Sequence, residues 1–306
     1  HIDSVFHLAI LYKKKGLIDK AITEFKKVVS TNTSNVTAYY YLGCCYEEKG
    51  VTANAKKEFG CAIKTDPQHV SSLYRLGVID MKNGDDKDAA SHFKAILKID
   101  TKNYDAHYNL GLLYYKEEKY DEAITEYKEA LDTKKDNADI YYNMGLAYFK
   151  KKLYEDAIST LKSALKIENK HVEALHELGN SYHSIGNYEK AISLFNKVLT
   201  LNPDNAFCYF NLGNAYRADK KRNEAHTAYK KALEINPDYA EAWNALGIIC
   251  RERGNRDEAF HAHKKALEIN PSYAEAYKNL GVLSDDNGEL EDAVTYYNKA
   301  IKFRSD

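Results

Sequence analysis

Net charge is the first thing this sequence lacks. Its 44 lysines and arginines stand against 45 aspartates and glutamates, leaving −1. No long-range field therefore draws the chain to nucleic acid or to an anionic membrane. Long apolar runs are missing as well. None approaches the roughly 18 residues that a membrane span needs, so no membrane insertion is expected. No signal peptide is present, and the chain starts at His1 rather than Met, which reads as a piece excised from something longer. Cysteine is sparse. The five are Cys44, Cys45, Cys61, Cys208 and Cys250, an odd number without C-x-x-C spacing. They read as reduced thiols packed in helices, hence an intracellular, cytoplasmic chain. Against that compartment stand two glycosylation triplets in "TNTSNVT", at Asn32 and Asn35, although such triplets also arise by chance.

Chemistry-bearing motifs are equally scarce. There is no P-loop, no G-x-G-x-x-G and no nucleophile elbow. "HELGN" at His176 lacks the second histidine of H-E-x-x-H. His176 and His183 lie about two helical turns apart, roughly 10 Å, too far to share a metal. His261 and His263 point to different sides of a helix, and the paired carboxylates sit on exposed turns. The sequence thus nominates no catalytic residue, no metal ligand and no cofactor.

Proline and glycine are few but ordered. All four prolines (Pro67, Pro203, Pro237, Pro271) fall at one phase of a 34-residue period, and fourteen of the fifteen glycines fall at two. An alanine series runs Ala21, Ala55, Ala89 and onward to Ala293 at the same interval. A period of 34 sustained over nine units indicates a repeat array. The units are 2–35, 36–69, 70–103, 104–137, 138–171, 172–205, 206–239, 240–273 and 274–306, read as one array over 1–306. Numbering each unit from 1, positions 4, 7, 8 and 11 have the i, i+3, i+4, i+7 spacing of one helical face. Position 4 is usually large, position 7 is Leu in eight units and Met144 in the fifth, position 8 is Gly in eight, and position 11 is Tyr in six. A turn follows at position 15, where six units carry Gly, and a second apolar face runs through 17, 20, 24, 27 and 28. Proline at position 32 stops that second helix, because it has no N–H to donate. Each unit is a helical hairpin. The small residues at positions 8 and 20 mark where its two helices cross.

This pattern resembles the tetratricopeptide repeat, with a bulky residue at 4, Leu at 7, Gly at 8, Tyr at 11, Ala at 20, an aromatic at 24, Ala at 27 and Pro at 32. Unit eight carries it as Trp243, Leu246, Gly247, Ala259, Ala266 and Pro271. Departures include Ala9 at position 8, Asp80, Cys250 and Ser284 at position 11, and Leu161 and His263 at position 24. The resemblance implies an all-α fold, a right-handed α-solenoid superhelix of helix-turn-helix repeats whose first helices line a concave groove. Stability in such an array is a sum over units and their neighbour interfaces. The first helix is apolar on more than one side, and the last leaves Val294, Tyr297 and Ile301 without a following helix. Both ends read as cut from a longer array, or else as meeting a partner.

Function is sought at positions the packing does not use. Positions 5, 9 and 12 of the first helix form one stripe. In units two to five it is apolar and aromatic, with Tyr40, Tyr74, Tyr108 and Tyr142 at 5, Cys44, Val78, Leu112 and Leu146 at 9, and Tyr115 and Phe149 at 12. An exposed apolar row of this kind marks a binding surface for an amphipathic helix or an extended peptide. The other reading is that the rings and aliphatics cover each other. Units six to eight differ: Asn180, Asn211 and Asn214 cluster there with His176, His183, Arg217 and Arg251. Asparagine both donates to and accepts from a peptide backbone, and arginine clamps a carboxylate. A chaperone-type carboxylate clamp is not reproduced, since His176, Glu241 and Ala245 replace its basic residues. Asn109, Asn143, Asn211 and Asn279 at position 6 resemble a partial asparagine ladder of O-linked N-acetylglucosamine transferase. Lysines 14, 82, 116 and 150 at position 13 form a basic edge.

These features predict a non-catalytic scaffold that holds protein or peptide segments and serves as a subunit of a larger complex. The alternative is a targeting or regulatory region of a larger enzyme, such as an O-GlcNAc-transferase-like protein or a kinase. RNA reading by helical repeats is disfavoured by the neutral charge and by the alanine and proline series.

Overall fold

The computed structural model describes residues 2–304. The terminal residues assigned to the array from sequence, His1, Ser305 and Asp306, lie outside the described residues. Among the described residues there are eighteen α-helices and no strands. They alternate strictly. In each repeat a helix A of positions 1–13 or 1–14 is followed by a helix B of positions 17–30. The chain divides into two compact units between Ala147 and Tyr148. The first unit holds α1 (Ile2–Lys14), α2 (Ile18–Thr31), α3 (Val36–Glu48), α4 (Thr52–Thr65), α5 (Val70–Asn83), α6 (Asp86–Ile99), α7 (Tyr104–Lys116) and α8 (Tyr120–Thr133), then most of α9 (Ala138–Lys150). The second holds α10 (Tyr154–Ile167), α11 (Val172–Ser184), α12 (Tyr188–Leu201), α13 (Ala206–Ala218), α14 (Arg222–Ile235), α15 (Ala240–Glu252), α16 (Arg256–Ile269), α17 (Ala274–Asp286) and α18 (Leu290–Phe303).

Within each unit a helix B packs on its own helix A and on the next, so the core is a continuous seam rather than one centre. Small residues set its geometry. A β-carbon on Gly43, Gly77, Gly111, Gly179, Gly213, Gly247 or Gly281 would come within 2.5–2.8 Å of the position-24 ring of the same hairpin. The glycine is therefore required by an inserted ring, not only by the crossing of two backbones. The alanines at position 20 are buried throughout. Unit eight replaces the usual pair of rings with a hydrogen-bonded pair. His263 fills the ring site against Gly247, and its Nδ1 donates to Asn244 Oδ1 at 2.9 Å.

The termini of the helices have local causes. Position 34 caps helix A in six repeats. Asn35, His69, Asn103, Asn137, His171 and Asn205 each accept from the backbone N–H three residues on. Side-chain acceptance of an orphan N–H is the ordinary N-cap device. Helix B stops at position 30 whether or not proline follows. At position 31, Asn32, Asp66, Asp100, Asn236 and Asn270 accept from the N–H two residues on, an Asx turn that diverts the chain. The A-to-B turn needs a left-handed residue at position 15. Gly84 and Gly254 supply it freely, at φ +83° and +85°, whereas Glu118, Lys152 and Lys220 adopt it at φ 60–62°. A residue with a β-carbon is strained there.

On the first helix, Leu8 and Leu11 are exposed. On α18, Val294 and Ile301 are 59% and 72% exposed. Tyr297, expected to be bare, is instead half-buried, with its ring against Gly281. No helix among the described residues is long and apolar enough to cross a membrane. The five cysteines are unpaired and lie on helices; four are buried and Cys61 is half-buried.

Candidate functional site

Successive A helices lie side by side within each unit, and the candidate stripe runs across them. In the first unit its rings serve two purposes. Tyr40 lies 5.9 Å from Phe59, Tyr74 6.2 Å from Phe93 and Tyr108 6.3 Å from Tyr127, so each covers the position-24 ring of its own hairpin. Burial raises all three phenols above the ordinary tyrosine value. Tyr142 is also half-buried. Of the position-9 residues, Val78, Leu112 and Leu146 are half-buried, while Cys44 is only 8% exposed and its thiol is pushed up by burial. Tyr115 leans edge-on against Tyr120 at 5.5 Å. The stripe is thus partly self-covering. What remains open is the flank of each ring, with Val78, Leu112 and Leu146 beside it. A shallow depression lies between Tyr40 and Tyr74, rimmed by Arg75 and Asp105. Its lining mixes the two rings and Val70 with Ser71, Asn103 and one charge of each sign.

Phe149 belongs to the second unit, where it leans edge-on against Tyr154 at 5.4 Å. The polar candidates of that unit are tied to one another. His176 Nε2 accepts from Asn211 Nδ2 at 3.0 Å, which leaves its Nδ1–H for Glu177 at 3.4 Å. Asn180 donates to Glu177 Oε2 at 3.2 Å. Asn214 Oδ1 accepts from the Tyr229 hydroxyl at 2.8 Å. Arg217 pairs with Glu252 through Nε at 3.0 Å and Nη2 at 2.9 Å. A depression lined by His183, Asn214, Arg217 and Glu252 opens beside them. Burial lowers the His183 imidazole, so this rim stays neutral near pH 7 apart from the Arg217–Glu252 pair.

The position-6 asparagines mostly stitch one repeat to the last. Asn143 donates to the Tyr108 hydroxyl at 3.2 Å, Asn211 to His176, and Asn279 to Asn244 at 2.9 Å. Asn109 bonds its own helix, at Asp105 O, 2.7 Å. On the position-13 edge, Lys116 is paired with Asp86 at 2.6 Å, and Lys14, Lys82 and Lys150 are exposed.

Sequence reasoning missed Phe207. It is 54% exposed, and its ring lies 5.2 Å from the His176 ring, beside Asn211. The signal was present: position 2 is acidic or hydroxylated in every other repeat, and aromatic only here. Sequence reasoning also missed a gathering of donor atoms away from both stripes. Among the described residues, His226, Cys250 and Glu258 are the three side chains placed to hold a metal ion together.

Tetratricopeptide repeat models match residues 136–204, 170–238 and 238–306. Others match 2–35, 37–69 and 80–125, and a TPR repeat model matches 113–152. Similar solved structures include a tetratricopeptide repeat protein from Parabacteroides merdae, 20% identical with a TM-score of 0.61, the match covering 86% of this chain and 100% of that one. The APC/C hetero-tetramer Cut9–Hcn1 is 19% identical with a TM-score of 0.60, covering 87% of this chain and 52% of that one. YrrB, a TPR protein with an unusual peptide-binding site, is 24% identical with a TM-score of 0.56, covering 61% and 96%. No curated protein matches the chain.

Proposed function

The chain belongs to the tetratricopeptide repeat family, and on that premise we propose that it is a non-catalytic protein-interaction scaffold. Its A-helix faces hold segments of a protein partner. The apolar stripe of the first unit takes an amphipathic helix or an apolar-containing peptide. The polar face of the second, with Phe207 as an aromatic anchor, takes a more polar segment. The observation that carries this is the state of Val78, Leu112 and Leu146. In these repeats positions 3, 7 and 10 carry the buried packing of helix A, Leu76, Ile79, Leu110, Leu113, Met144 and Ala147 among them, yet these three side chains stay partly in water. Covering a large apolar side chain fully is worth about 1.5–3 kcal/mol, and half-burial leaves part of that to be gained on binding. The partner is protein rather than nucleic acid, in keeping with a net charge of −1. Among proteins of the same fold, YrrB has a peptide-binding site and Cut9 assembles with Hcn1.

A photo-crosslinking residue at position 112 tests the assignment against one at 129, an exposed site on α8. In native extract, residue 112 should crosslink to a discrete partner segment and residue 129 should not. Equal labelling from both sites, or labelling from 129 alone, contradicts it.

A further inference from the structure

We propose that His226, Cys250 and Glu258 bind one Zn²⁺ ion. The three side chains come from three successive helices, α14, α15 and α16, and their donor atoms all lie within 4.8 Å of one another. They already face each other. His226 Nε2 is 3.4 Å from Glu258 Oε1, and the Cys250 sulfur lies within 4.8 Å of a donor atom of each. Zinc holds sulfur at about 2.3 Å and nitrogen or oxygen at about 2.0–2.2 Å, which puts tetrahedral ligands roughly 3.3–3.7 Å apart. Closing the three donors onto an ion therefore takes a shift on the order of 1 Å, within reach of side-chain torsions. Cys250 is fully buried, and the other two are half-buried. The ion would be screened on one side and open to water on the other.

The donor set selects the metal. A thiolate and an imidazole favour Zn²⁺ over the hard cations Ca²⁺ and Mg²⁺, which take oxygen ligands. Three protein ligands leave a fourth position for water. On binding, the Cys250 S–H bond breaks, a zinc–sulfur bond forms and the proton leaves to solvent. Two of the three donors stand where the repeat pattern calls for something else. Cys250 occupies the position that is Tyr in six units. His226 occupies position 21, which is Ile in four. Cys250 also packs in the buried core beside Leu246 and Ala259, so its sulfur is held in place by the hairpin.

Two cations oppose the ion. Lys230 Nζ lies 3.0 Å from Glu258 Oε1, and Arg253 adds positive charge near His226 and Cys250. The Lys230 side chain is 49% exposed, so it can swing into water and yield the carboxylate. Bound zinc would tie the helix B of one repeat to both helices of the next.

Cobalt titration of the purified, reduced chain tests this, because Co²⁺ bound to a thiolate shows a charge-transfer band in the near ultraviolet. One equivalent of Co²⁺ should produce the band, and Zn²⁺ should abolish it stoichiometrically. The band should vanish in Cys250→Ser and persist in Cys61→Ser. Glu258→Gln, a change near the surface with circular dichroism as the fold control, should weaken binding at least tenfold. Lys230→Met should tighten it about tenfold, the order of one hydrogen bond to a charged group. A chain that gives no thiolate band overturns the proposal. So does a band that follows Cys61, or affinity unchanged by both Glu258→Gln and Lys230→Met.

Discussion

At the scale of single residues, glycine shows why two opposed effects must be weighed. In an exposed helix interior Gly→Ala gains about 1 kcal/mol of helix propensity. Gly60, within α4, has nothing within 4 Å of where its β-carbon would stand. Gly60→Ala should raise stability by about that amount in chemical denaturation. Gly111→Ala gains the same propensity but puts a β-carbon 2.5 Å from the buried Tyr127 ring. Overpacking costs about 1–3 kcal/mol, so this substitution should destabilise. The sequence made the first half of this legible: Gly60 alone fell outside the two glycine phases. It could not show that a ring, rather than a backbone, occupies the space at position 8. His263 gives a second residue-scale prediction. Burial lowers its imidazole from 6.5 to about 4, and the Arg251 charge adds to the effect. The folded chain therefore holds His263 neutral while the unfolded chain protonates it. Its contribution to stability is complete above pH 6.5 and is lost as pH falls toward 4. His263→Phe should flatten the fall in unfolding midpoint between pH 7 and pH 5 relative to the parent chain. Superimposable pH profiles would show that His263 is not the titrating group.

At the scale of elements, caps and turns decide where helices begin and stop. Asn205 accepts from Cys208 N–H at 2.9 Å at the start of α13. Asn205→Ala should cost about 1 kcal/mol, read from the shift in denaturation midpoint. At the A-to-B turn of the seventh repeat, Lys220 sits at φ 61° where six repeats have glycine. A side chain in that region costs about 1–2 kcal/mol, partly offset by the entropy glycine loses on folding, so Lys220→Gly should gain up to about 1 kcal/mol. Helix periods were legible because apolar spacing reports a packed face directly. Their ends were less so. Proline at position 32 pointed to the stop, but an Asx turn at position 31 accompanies it in five repeats, and α8 and α10 stop at the same place with neither, before Lys134 and Glu168. The capping role of position 34 went unread, since His69 and His171 do there what asparagine does elsewhere. Tyr239 and Tyr273 hold that position in the last repeats without capping, and reach Phe210 and Asn244 instead.

At the scale of the whole molecule, the division between packing and spare positions carries the function. The repeat constrains 7, 8, 20 and 27 so tightly that phase alone revealed them. The stripe at 5, 9 and 12 was legible as a pattern but not as a surface. Tyr40, Tyr74 and Tyr108 each spend one face on the position-24 ring, and Asn180, Asn211, Asn214 and Arg217 each have a partner within their own unit. Such pairings join residues from neighbouring helices and repeats, and no single-sequence spacing encodes which side chain answers which. The donor group of His226, Cys250 and Glu258 escaped for the same reason, being spread over two repeats. If the spare positions bind and the packing positions fold, the two properties must separate on mutation. The most direct measurement pairs thermal unfolding, followed by circular dichroism, with crosslinked partner capture in Leu112→Asp/Leu146→Asp. Helicity and a cooperative transition should persist while capture disappears. Capture at the parental level by the folded double variant would contradict the account.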